Sequence, residues 1–210
     1  MATKTIEHPT VLAPVSNGAK ELIESNLPYS ASITIKGVAP YLFKGWNNEA
    51  VKEQGEKPKG SKSKKTDNLE ASVYRLANGN LGMSQAAMCK ALQAMGRFKQ
   101  DPRSARKSAL DLVKAGVFPL DDLADTGVKD WDYVDRRRAV IQHSAITRAR
   151  PALAIGWQVT FKLLVSLPEY ITPTLLLELA SEAGKLNGMG DYRPTFGRFQ
   201  VVKFEVSPVT

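Results

Sequence analysis

The chain has 210 residues, with 29 Lys and Arg against 21 Asp and Glu, a formal net charge of +8, 43% hydrophobic and 24% charged residues. These proportions belong to a globular protein with its own core and exclude a collagen-like, wholly disordered or membrane-bundle chain. No apolar run reaches the roughly 18 residues of a membrane-crossing helix. Met1 to Ser16 shows no basic start followed by an apolar stretch, so no secretory leader is expected. Cys89 is the single cysteine, which excludes an internal disulfide and suits a reducing cytoplasm.

Residues 1–29 read as a polar, unpatterned arm, with a short helix over Asn17 to Ser25 that stops before Pro28. Ala31 to Lys36 alternates and is β-branched, which predicts a strand with one buried face. Gly37-Val-Ala-Pro40 turns the chain into the apolar anchor Tyr41-Leu42-Phe43. Hydrophobic residues nearly vanish from Asn47 to Asn68, which predicts a flexible basic loop over 47–68. A short helix is expected over Leu69 to Leu76. Ser84 then caps a helix to about Phe98, with Ala87, Met88, Ala91, Leu92 and Met95 at helical spacing. Ser104 opens another helix that stops at Gly116, so 84–116 reads as a helical insertion. Val117 to Leu120 is a short strand, the Asp-rich stretch to Asp135 a loop, and Arg138 to His143 and Ile155 to Val165 are strands. Thr172-Pro173 caps a helix over Thr174 to Lys185, Phe199 to Val206 is a closing strand, and 207–210 form a tail. The order predicts an α+β fold over 30–206. It is a modified ferredoxin-like or RRM-like βαββαβ core with the basic loop and the helical insertion.

Charge is unevenly placed. Residues 51–66 hold six lysines, among them Lys57, Lys59, Lys62, Lys64 and Lys65, against two glutamates. Residues 102–120 net +3 and 121–135 net −5. Residues 136–150 carry Arg136, Arg137, Arg138, Arg148 and Arg150 with no acid. Arginine suits bidentate phosphate contact and stacking on bases, so this block is a candidate phosphate track. The competing reading is that Arg136 to Arg138 pair with the preceding aspartates on a solvated surface.

The most informative stretch is Gly188-Met-Gly190-Asp-Tyr192-Arg193-Pro194-Thr-Phe196-Gly197-Arg198-Phe199. Glycines let a backbone amide approach a phosphate and permit positive-φ turns. Arg193 and Arg198 supply charge, and Tyr192 and Phe196 offer faces for stacked bases. Phe199 reads as core. The competing reading is a tight connection whose aromatics plug the core.

A glycine-rich loop between the second helix and the final strand of such a fold resembles the RAMP superfamily of CRISPR-associated proteins. So does the start, Ile33-Thr-Ile-Lys-Gly37-Val-Ala-Pro40-Tyr-Leu42, which is similar to the first strand and Gly-x-x-Pro turn of the branch that forms effector backbones. The resemblance implies a subunit that assembles along a single strand of RNA or DNA, as a homo-oligomer, a filament or beside other effector subunits. Its setting would be the cytoplasm of a bacterial or phage-infected cell. The site residues are then Lys36, Lys44, Lys62, Lys64, Lys65, the five arginines of 136–150, and Gly188, Gly190, Tyr192, Arg193, Phe196, Gly197 and Arg198. No cofactor, metal, membrane contact or catalytic group is expected.

One structural and two enzymatic alternatives stand beside this; the structural one is a subunit of a phage or effector complex whose basic patches meet acidic protein surfaces. His143, near Gln142, Ser144 and Arg148, could serve a metal-independent ribonuclease as general acid or base. Asp121, Asp122 and Asp125 could hold Mg²⁺, although capping a turn is the plainer role. Gly188-x-Gly190 follows a helix and precedes a strand, the reverse of a dinucleotide fingerprint.

Overall fold

The computed structural model describes residues 27–45, 52, 69–141 and 144–209. The helix expected at Asn17 to Ser25, His143, and the lysine-rich segment apart from Lys52 lie outside the described residues.

Strand β1 (Tyr29–Gly37) realises the alternation read from its sequence: Tyr29, Ala31, Ile33 and Ile35 are buried. It pairs antiparallel on one side with β11 (Gln158–Val165), Ile33 facing Phe161, and on the other with β12 (Phe199–Pro208), Ile33 facing Phe204. The outer edge of β11 pairs with β7 (Val117–Pro119), completing a four-stranded antiparallel sheet in the order β12-β1-β11-β7.

Two helical crossings join these strands. The chain runs from β1 to β7 through α1 (Gln85–Gly96) and α2 (Leu110–Gly116), and from β11 to β12 through α3 (Pro173–Glu182) and a π-helical turn (Ala183–Asn187). Met88, Leu92, Met95, Leu112, Leu176, Leu179 and Ala180 from the helices share one core with Ile33, Ile35, Phe161 and Leu163 from the sheet. Burying each large side chain stabilises the fold by roughly 1.5–3 kcal/mol. The helices of segment 84–116 therefore belong to the main core. The opposite sheet face is polar: Ser30, Ser32 and Lys36 on β1, Gln158, Thr160 and Lys162 on β11, and a Thr34–Thr160 hydroxyl hydrogen bond at 2.9 Å.

Three local expectations are corrected. Ser104 does not open a helix. The buried Asp101 carboxylate accepts the Arg103 amide at 2.9 Å and its guanidinium at 2.8 and 3.0 Å, closing a turn. That turn joins β5 (Gln100–Asp101) to β6 (Ser104–Ser108) as a hairpin, and α2 begins after it. Leu69 to Leu76 forms only a 3₁₀ turn (Glu70–Ser72) before β3 (Tyr74–Arg75), because Tyr74 pairs with Gly82 of β4 (Leu81–Ser84). The Asp-rich stretch contains β8 (Leu123–Asp125), paired to β4, and the start of β9 (Tyr133–Ile141). Strand β10 (Ser144–Leu153) escaped the sequence reading. It pairs with β9 and, through Ala152 and Leu153, with β2 (Tyr41–Leu42). At the chain's ends, β1 begins inside the expected arm and β12 runs into the expected tail. The last helix matches its signals: Thr172 Oγ1 accepts the Leu175 amide at 3.2 Å, with Pro173 at the first turn.

Candidate nucleic-acid interface

The glycine-rich loop after the π-helical turn is stitched to the Gly37–Leu42 turn by its own backbone. The Gly197 amide donates to the Pro40 carbonyl at 2.7 Å, Asp191 to Leu42 at 3.0 Å and Met189 to Gly197 at 2.9 Å. The Arg198 carbonyl accepts from Val38 at 2.9 Å and Ala39 at 3.2 Å. Close approach is the reason for the glycines. A Cβ at Gly197 (φ 71°) would lie 1.7 Å from the Met189 carbonyl oxygen, and one at Gly190 (φ 83°) 2.5 Å from that of Leu42. Gly188 and Gly197 are buried, and their amides are spent on Ala183 and Pro40. They serve packing, and the phosphate approach expected at these two positions is closed. Gly190 is half-buried and open to a cleft.

The aromatics divide in the same way. Phe196 packs in a small cluster with Leu42 and Ala152, and the Arg137 guanidinium lies 4.4 Å from its ring centre. Its faces are covered, which corrects the stacking role expected for it. Tyr192 is half-exposed and takes a left-handed conformation (φ 53°), uncommon for a bulky residue and a mark of a position held by its surroundings. Phe199 is core, as read from the sequence.

Asp191 ties the loop to its neighbours. Its carboxylate lies 2.9 Å from Arg150 Nε and 3.4 Å from Lys44 Nζ, while Arg150 Nη1 also donates to Ser72 Oγ at 3.1 Å. Burial pushes the Asp191 carboxyl up. The hydrogen bond from Arg150, the charges of Lys44 and Arg150, and the Tyr192 amide outweigh it and hold the group below its ordinary value. Arg150 is therefore a strap for the loop, not an open phosphate ligand as expected. Lys44 keeps 64% of its side chain exposed, and Arg193 and Arg198 are exposed with no ion pair among the described residues.

The other arginines lie on the β9–β10 ribbon, where Arg137 faces Arg148, Asp135 faces Arg150, and Arg136 and Arg138 face Ala149 and Thr147. Because strand side chains alternate, Arg137, Arg148 and Arg150 share the face toward the glycine loop, whereas Arg136 and Arg138 point the other way. The five do not form a single track. Arg137 pairs with Asp135 at 2.7 Å, so the solvated-pair reading holds for that residue. Arg136, Arg138 and Arg148 make no ion pair among the described residues.

Sequence reasoning missed the concavity these elements enclose. A cleft of about 270 Å³ lies between the glycine loop and the start of α1. Tyr41, Phe43, Tyr74 and Met189 form its walls and Lys44, Lys90 and Arg193 its rim. A second hollow of about 370 Å³, lined by Tyr192 and Asn187, shares Lys44, Gly190 and Arg193 with it. Burial pushes the Tyr41 phenol far up, keeping it neutral. Ser84 occupies the N-cap of α1 without capping through its side chain, and it lines this cleft. Lys90 and Tyr74 lie in no motif, and only the fold brings them together. Lys36 is exposed on the polar sheet face and does not line the cleft; Lys62, Lys64 and Lys65 lie outside the described residues.

The acidic segment is used for turns. Asp125 accepts from Asn78 at 2.8 Å, Asn80 at 3.0 Å and the Gly127 amide at 2.7 Å, and Asp121 from Gln85 at 3.4 Å. Among the described residues no three His, Cys, Asp or Glu side chains converge as metal ligands. Nor, among those residues, is any helix long and apolar enough to cross a membrane.

No family model and no curated protein matches the chain. Solved structures do. A chain of the type III-B Cmr-beta complex bound to cognate target RNA matches with a TM-score of 0.50 at 10% identity, over 91% of this chain and 65% of that one. A chain of a CRISPR RNA-guided surveillance complex matches with a TM-score of 0.39 at 12% identity, over 86% and 72%. At such identity the likeness is one of fold. The chain shares its fold with the Cmr-beta chain, and it spans 65% of that chain's length.

Proposed function

We propose that the chain is a non-catalytic subunit that binds single-stranded nucleic acid, with the glycine-loop cleft as its grip. The observation that carries this reading is the aromatic-walled cleft rimmed by Lys44, Lys90 and Arg193. Cations along a groove take phosphates, and the half-exposed rings of Tyr74 in the cleft and Tyr192 in the adjoining hollow offer faces to bases without regard to sequence, while the buried Tyr41 and Phe43 shape the floor. Arg148 and Arg198 extend the basic surface. Arg150, Phe196, Gly188 and Gly197 hold its shape. The antiparallel order β12-β1-β11-β7 with two helical crossings supports a ferredoxin-like βαββαβ core. The central strands carry no aromatic on the open sheet face, so RRM-style stacking there is not the mode of binding. The fold likeness to a chain of the Cmr-beta complex bound to cognate target RNA supports the nucleic-acid-binding part of this reading; assembly with further copies or other subunits along the strand, in the cytoplasm, is part of the same proposal.

A panel of single- and double-stranded RNA and DNA, read by gel shift, tests the reading. Single strands bind more tightly than duplexes, and labelled RNA stays intact throughout, with His143→Ala behaving as the wild type. A duplex preference, or cleavage lost in His143→Ala, would overturn it.

A further inference from the structure

We infer that the β5–β6 hairpin is a second contact for the same nucleic-acid strand, at the far end of α1 from the cleft. The inference rests on the proposed single-strand reading and extends it to a surface that reading does not use.

Five cations lie on or next to the hairpin, and they differ in employment. Lys99 is bound to Glu182 at 2.8 Å and Glu178 at 3.3 Å on α3. Arg103 is bound to Asp101 at 2.8 Å and lies 5.5 Å from the centre of the Tyr170 ring. These two lock the hairpin to the body. Arg106 and Lys107 make no ion pair among the described residues, and neither does Arg97 at the end of α1. All three are exposed.

Strand β6 is exposed at every residue from Ala105 to Ser108, so both of its faces stand in solvent. Two residues before β5, next to Arg97, Phe98 is 73% exposed, the most exposed large hydrophobic side chain among the described residues. A phenyl ring left in water contributes nothing to the core. At the root of a locked hairpin and next to the exposed Arg97, it is a stacking platform for one base, with Arg106 and Lys107 on β6 for neighbouring phosphates. An acidic protein surface is the competing partner for the same ring and cations, and unchanged long-strand binding by the hairpin variants is the outcome it predicts.

The geometry fixes the spacing. Ala86, Ala87 and Lys90 line the cleft from the first turns of α1, whereas Phe98 follows its last turn. The helix has 12 residues, about 18 Å at 1.5 Å per residue. With one phosphate about every 3.4 Å along a stacked strand, about five nucleotides separate the two contacts.

The test compares oligonucleotides of about 4 and about 16 nucleotides on the full chain, with Phe98→Ala, Arg106→Ala/Lys107→Ala and Arg193→Ala as variants. None of the hairpin side chains to be removed is buried, so folding is retained and is checked by melting. The expected result is that Phe98→Ala and the double variant bind the short strand as the wild type does. Both should bind the long strand several-fold more weakly, and the double variant's salt slope should be reduced by about 0.7 for each lost phosphate contact. Arg193→Ala weakens both strands. If the hairpin variants bind the long strand like wild type while Arg193→Ala does not, the hairpin contact is wrong and the cleft stands. If the wild type binds no single strand, both fall. If duplexes feel the hairpin changes as strongly as single strands, the stacking role is wrong.

Discussion

Single residues divide into those that hold the shape and those left free by it. Asp191 is the hinge of that division, because it consumes Arg150 and part of Lys44. Asp191→Asn leaves the half-buried Arg150 guanidinium without its counter-charge. The expected cost is about 2 kcal/mol, the range of a hydrogen bond to a charged group, read as a lower melting temperature. Two carboxyls also set the response to acid. The Arg103 guanidinium and amide hold the Asp101 carboxyl down to about 2, and Asp191 is likewise depressed. A depressed carboxyl stabilises the fold above its unfolded value and loses that contribution as pH falls through its folded one. Stability is therefore expected to decline from about pH 4 downward, and more shallowly in Asp101→Asn. A melting series from pH 6 to pH 2 reads both. Cys89 shows the same logic for a neutral group: it is buried in α1, and burial pushes its thiol up to about 11. Native protein at pH 8 is expected to react with an aromatic disulfide reagent only at the rate of unfolding.

At the scale of elements, legibility followed the source of the signal. Strands β1, β11 and β12 and helices α1 and α3 carry their own periodicity, so the pattern of apolar residues located them. Strand β10 is held by pairing with β9 and β2, and its Arg, Pro and Ala residues carry no period to read. Ser104 reads as a helix start but opens β6, after a turn in which Asp101 accepts the amide of Arg103 two residues on; Asp101-Pro102 is the turn signal that outranks it. The glycine motif stands out in the sequence, and the structure supplies a packing reason for it. Its amides close the loop onto the first turn, and Gly197 is required because Met189 fills the space a side chain would take. Gly197→Val is accordingly expected to lower the melting temperature as well as binding, with the loss of binding tracking the fraction unfolded.

Across the whole molecule, the net charge of +8 is placed less simply than the sequence implies. The arginine block splits over the two faces of one ribbon, and two of its members are engaged by Asp135 and Asp191. The cations that rim the cleft come from separate parts of the chain: Lys90 from α1, Arg193 from the last loop, and Lys44, which also pairs with Asp191, from after β2. That convergence required the fold, since nothing in the sequence links Tyr74 or Lys90 to Arg193. A strand lying in the cleft would displace counterions from these three positions together, whatever its base sequence.

The most direct measurement is the salt dependence of single-strand affinity for the wild type, Lys90→Ala, Arg193→Ala and Arg150→Ala, with melting temperatures taken on the same preparations. The account predicts that Lys90→Ala and Arg193→Ala melt like the wild type and each lose about 0.7 from the slope of log affinity against log salt. Arg150→Ala should instead melt lower. Lys90→Ala and Arg193→Ala proteins that stay folded and keep the wild-type affinity and slope would contradict the account.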